Sequence, residues 1–103
     1  MNLATKEIED LFRTILSLDS LMEAKAFFRD LLTEKEILEF SRRFKAARML
    51  EQGISYVEIQ KETGLSSTTV ARISKWLSTG MKGYKKMITR NSHTHPSTKK
   101  VRS

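Results

Sequence analysis

Residues 54–77 read ISYVEIQKETGLSSTTVARISKWL, and no other stretch of the chain limits its fold so tightly. Ser55-Tyr56-Val57-Glu58 has the Ser-x-x-Glu spacing of a capping box, in which hydroxyl and carboxylate satisfy backbone N–H groups at a helix start. Val57 and Ile59 are the apolar residues expected to ride this short helix. Gly64 closes it, because a residue after a helix C-terminus often needs φ > 0 and glycine takes that conformation without steric cost. Leu65 follows, then Ser66-Ser67-Thr68-Thr69, whose hydroxyls can cap a second helix and keep its first turn small. Val70, Ile73 and Leu77 recur at i, i+3 and i+7, one stripe of a 3.6-residue period. Thr68, Arg72, Lys75 and Thr79 fall on the opposite side. Two short helices joined by a glycine turn, the second polar-fronted and basic outside, make a helix-turn-helix. Its second helix is the one that enters a DNA major groove.

Charge supports the same partner. Residues 1–40 carry five Lys/Arg and nine Asp/Glu, a net of −4, whereas residues 41–103 carry fourteen and three, a net of +11. An acidic half joined to a basic half points to a polyanion for the second, since clustered cations release the counterions condensed on phosphate. A membrane surface is disfavoured, because no helix pairs a cationic face with an exposed Trp/Phe/Leu face. At 103 residues the chain is one domain with a limited core, and dimerisation is a common way to complete it. The absence of cysteine excludes disulfides and Cys-ligated zinc. Met1 to Asp10 is charged and lacks an apolar h-region, and no run reaches ~18 apolar residues, so a cytoplasmic protein is expected.

The chain has one proline, Pro96, and four glycines, and everything before Gly53 is free of strong helix breakers. A first helix is expected from about Thr5 to Leu18, with Ile8, Leu11, Phe12 and Ile15 on one face. A capping box at Ser20 opens a second through Leu31, burying Leu21, Ala24, Phe28 and Leu31. Another at Thr33 opens a long helix to Gln52 with Ile37, Phe40, Phe44, Ala47 and Leu50 as its buried stripe. After Gly80 the signal weakens to a short helix over 82–88, with Tyr84, Met87 and Ile88 packed. Residues 1–90 form the helical domain. Residues 91–103 hold one apolar residue, Val101, too few to offset ordering entropy, and a disordered basic tail is expected.

No enzyme signature is present, and neither a metal nor a cofactor is expected. His93 and His95 read as polar tail residues rather than ligands. Arg43 projects beside the buried stripe and needs a partner. An i,i+4 bridge to Glu39 is the simpler account, and a guanidinium receiving a carboxylate or phosphate is the other.

Leu32-Thr33-Glu34-Lys35-Glu36, Arg43-Phe44, the long helix ending near Gly53, and Ser55 to Leu77 together resemble the Trp repressor superfamily. They are most similar to its YerC/YecD branch of bacterial proteins, over roughly residues 5–80. The resemblance implies an all-α fold of about six helices, an intertwined homodimer and a bacterial transcription regulator. It also implies an effector pocket at Thr33, Arg43 and Arg72. Two departures fall in its floor, where Ile73 and Trp76 replace the glycine and serine of the Trp repressor, so tryptophan is not the expected corepressor.

These readings converge on a homodimer that binds double-stranded DNA in a sequence-specific way. Ser66, Ser67, Thr68 and Arg72 are the candidates for base edges. Thr69 and Lys75 are expected on the groove wall, and Lys61, Arg42, Lys45, Lys82, Lys85 and Lys86 on phosphates. A helical module for an acidic protein partner and a structured-RNA binder are the alternatives. Salt and sequence dependence of binding separate them from a duplex reader.

Overall fold

A computed structural model of the chain describes residues 1–94, with side chains through Ser92. Among the described residues there are six helices and no strand. They are α1 (Lys6–Leu16), α2 (Leu21–Leu31), α3 (Glu34–Glu51), α4 (Tyr56–Thr63), α5 (Ser67–Thr79) and α6 (Gly83–Thr94). The all-α expectation holds. Two compact units are distinguished, Met1–Leu38 and a second beginning at Glu39.

Five of the six starts follow from a hydroxyl. Thr5, Ser20, Ser55 and Ser66 sit in extended conformation and accept from the backbone N–H three residues on, at Ile8, Glu23, Glu58 and Thr69. The box at Thr33 is reciprocal. Its hydroxyl accepts from the Glu36 N–H at 3.1 Å, and the Glu36 carboxylate accepts from the Thr33 N–H at 2.9 Å. At α2 the carboxylate of Glu23 instead accepts from the Asp19 N–H, one residue earlier than the motif implies.

In the first unit α1 and α2 contain no buried residue, so the apolar faces expected there exist but are only partly covered: Ile8, Ile15, Ala24 and Phe28 are half-buried, and Leu11, Phe12, Leu21 and Leu31 are exposed. Phe27 and Phe28 meet edge to face at 5.4 Å between ring centroids.

The second unit holds the core. Ala46, Ala47 and Met49 of α3 meet Ile59 of α4, Leu65, and Val70, Ile73 and Leu77 of α5. α5 packs on both α4 and α6, and Tyr84 and Ile88 of α6 close one side. Here the expected stripe of α3 needs correction. Phe40 is half exposed and Phe44 only partly buried, while Ala46 and Met49 are inside. The small side chains at Ala46 and Ala47 let the helix-turn-helix approach closely, so packing centres on them rather than on the phenylalanines. Val57 and Ile59 both ride α4 as expected, Val57 67% exposed and Ile59 fully buried. Two residues apart on an α-helix lie about 200° apart, so the pair cannot share a face.

The last helix is longer than the weak signal suggested. α6 reaches Thr94, making 91–94 helical where a disordered tail was expected, and 95–103 lie outside the described residues. The side chain of His93 and all of His95 also lie outside the described residues.

Candidate nucleic-acid interface

The turn between α4 and α5 is built from local chemistry. Gly64 takes φ = 76°, and its N–H donates to the Gln60 carbonyl at 2.9 Å. Thr63, buried, secures the turn on both sides. Its hydroxyl donates to the Ile59 carbonyl at 2.7 Å and accepts from the Leu65 N–H at 3.2 Å. The buried Leu65 then anchors the turn to the core. Thr63 was not singled out from sequence. A threonine directly before a C-terminal glycine is the signal that marks it.

The first turn of α5 divides its four hydroxyls by role. Ser66 accepts from the Thr69 N–H at 3.1 Å and donates to Thr69 Oγ1 at 3.0 Å, which commits both residues to the cap. Ser67 and Thr68 are exposed and make no side-chain hydrogen bond among the described residues. Ser66→Ala is therefore expected to cost about 1 kcal/mol of stability through the lost cap, read as a lower denaturant midpoint.

Val70 and Ile73 are fully buried and Leu77 nearly so, and this fixes which side of α5 faces out. Thr68, Ala71, Arg72, Lys75 and Thr79 are exposed. No acidic residue follows Glu62 in the sequence, whereas nine Lys/Arg do. α5 and everything C-terminal to it thus carry only cationic side chains among the charged ones.

The phosphate candidates fall into two groups. Arg42, Lys61, Lys75, Lys82 and Lys86 are exposed and carry no ion pair among the described residues, as is also true of Arg72. Lys45 instead meets Glu62 at 3.2 Å, and Lys85 meets Glu51 at 3.3 Å. Both pairs remain about half exposed, where a bridge contributes ~0–1 kcal/mol, little enough for a phosphate to replace the carboxylate.

Of the residues named for an effector pocket, Thr33 belongs to the first unit, where it caps α3. Arg43 bridges to Glu39 at 3.3 Å, the simpler of its two accounts, and Ile73 belongs to the core. Trp76, 45% exposed, does line an apolar cavity of about 540 Å³ together with Phe44, Tyr84 and Met87. Phe44 stacks on Tyr84 with centroids 6.5 Å apart, and the Arg48 guanidinium lies 5.4 Å from the Phe44 centroid. Burial raises the Tyr84 phenol above its usual pKa, with Arg43 opposing weakly as the second cause. Where α5 ends, a Cβ on Gly80 would lie 2.6 Å from the Trp76 carbonyl oxygen, so only glycine fits. Among the described residues no His, Asp or Glu cluster could hold a metal, and no helix is long and apolar enough to cross a membrane.

The family model for the Trp repressor protein matches residues 6–92. The uncharacterized protein YerC of Bacillus subtilis is 40% identical over 89 residues, which span 86% of this chain and 86% of that protein. A TrpR-like protein from Eubacterium eligens superposes with a TM-score of 0.82 at 42% identity, over 85% of this chain and 91% of that one. A candidate Trp repressor from Staphylococcus aureus gives 0.81 at 35%, over 85% and 88%.

Proposed function

The chain belongs to the Trp repressor family, and from that premise we propose that it is a homodimeric regulator of transcription that binds duplex DNA. One observation carries the reading. The buried stripe of α5 turns Ser67, Thr68, Arg72 and Lys75 outward together, so hydroxyls and cations share the surface that a recognition helix presents to base edges. Arg42, Lys61, Lys82 and Lys86 serve as phosphate contacts, which position the protein without specifying sequence.

The test compares a selected duplex with a random one across a salt series. Arg72→Ala and Thr68→Ala are each expected to lose about 1–3 kcal/mol on the selected duplex and little on the random one. Lys86→Ala should weaken both alike and reduce the slope of log K against log salt by about one. Equal losses on both duplexes for Arg72→Ala would remove it from base readout. Binding to an acidic protein or to structured RNA in preference to duplex DNA would overturn the reading.

Free tryptophan is not the corepressor in this reading. An indole needs an apolar slot, and Ile73 already fills core volume where the Trp repressor has no side chain, while Trp76 brings an indole of its own to the same helix. Overfilling a tight site by a few methylenes costs about 1–3 kcal/mol, and a second indole exceeds that. Calorimetric titration of tryptophan is expected to show no micromolar binding and no gain in DNA affinity. A tenfold gain would show the slot to be open.

A further inference from the structure

From Ser67 to Thr79 the outward helix contains no Asn, Gln, Asp or Glu. A side-chain amide is what pairs with adenine N6 and N7, and a carboxylate is what accepts from cytosine N4, so α5 lacks both readers. Its exposed face toward the N-terminus offers the hydroxyls of Ser67 and Thr68, the γ-methyl that Thr68 carries beside its hydroxyl, the cations of Arg72 and Lys75, and the methyl of Ala71, which has no polar atom beside it. That last methyl is the odd member. Val70, Ile73 and Leu77 are turned inward and Trp76 lines the cavity beside α6, yet Ala71 is exposed and lines neither. Thr68, Ala71 and Lys75 stand at i, i+3 and i+7, one row on the helix surface, with Ala71 between a hydroxyl and an ammonium. A side chain this short lets the backbone come close to a groove floor. The feature of the major-groove edge complementary to a methyl group is the C5 methyl of thymine.

We infer, on the basis of the DNA reading above, that Ala71 is a specificity-determining residue that recognises the C5 methyl of a thymine in each half-site. Thr68 and Lys75 flank it along the row. Arg72, about 100° round the helix, addresses a neighbouring guanine, the base whose O6 and N7 match a guanidinium.

The experiment uses the full chain and a duplex selected from a random pool, with its thymines replaced singly by deoxyuridine, which removes only the methyl. At one thymine per half-site the substitution is expected to weaken the wild-type protein about fourfold, the worth of one buried methyl group. Ala71→Gly is expected to bind the thymine and uridine duplexes equally. Any loosening of α5 by glycine weakens both duplexes alike and cancels from their ratio. A thymine-to-uridine ratio unchanged in Ala71→Gly, or no thymine that responds, overturns the inference and leaves duplex recognition standing. No sequence preference in the selection would overturn both.

Discussion

Sedimentation of the full chain at micromolar concentration is expected to find a homodimer, with folding and association lost together on dilution. α1 and α2 carry Ile8, Leu11, Phe12, Ile15, Leu21, Phe28 and Leu31 and yet bury none of them. Leu16, Leu21 and Met22 are 84%, 72% and 80% exposed. Full burial of such a side chain is worth about 1.5–3 kcal/mol, so several left in water forfeit a large part of a small domain's stability. A second copy offers the same surface and can cover it by two-fold symmetry. An interface of this kind resembles a divided core and buries more than ~2,000 Å². Helix-turn-helix dimers, the Trp repressor included, set their recognition helices about one DNA turn apart, ~34 Å, and the same spacing is expected here. A compact, cooperatively folding monomer would refute the dimer. It would also leave each recognition helix to bind alone.

Ile73→Ala is expected to lower stability by about 2–5 kcal/mol and to abolish DNA binding with it. Ile73 is fully buried among the side chains of α3, α4 and α5, so truncation leaves a cavity that Ala46 and Ala47 are too small to fill. The loss is a large share of the ~5–15 kcal/mol that keeps a domain folded. One residue away, Arg72→Ala should leave the denaturation midpoint nearly unchanged, because its side chain is exposed and unpaired among the described residues. Denaturant unfolding of the two variants side by side checks this. Similar stability in both would mean that α5 is not seated through Ile73.

Helix starts were highly legible in the chain. Ser20, Thr33, Ser55 and Ser66 cap the helices their motifs announced, because capping depends on groups within three or four residues of one another. Gly53 and Gly64 take positive φ for an equally local reason. The stripe Val70, Ile73 and Leu77 was legible because it is long and strictly periodic. Within the interface, exposure of Thr68, Arg72 and Lys75 followed from that stripe. The commitment of Ser66 to the cap did not, since a hydroxyl at that position can serve either role until its partner is seen. The ion pairs of Lys45 with Glu62 and Lys85 with Glu51 join different helices, and no spacing along the chain foretells them.

The sequence by itself determined that this protein is helical, where four of its helices are capped, and which side of α5 faces out. All three depend on interactions within a turn or two of helix. Tertiary structure alone decided that Ala46 and Met49 join Ala47 in the core in place of Phe40 and Phe44. It also decided that Trp76 lines a cavity with Phe44 and Tyr84, and that α6 packs its start against α5. The physical reason is that helical periodicity names a face but not its neighbour. Which residues of a face are buried depends on how closely another helix can approach. That distance is set by side-chain volumes on elements far apart in the chain.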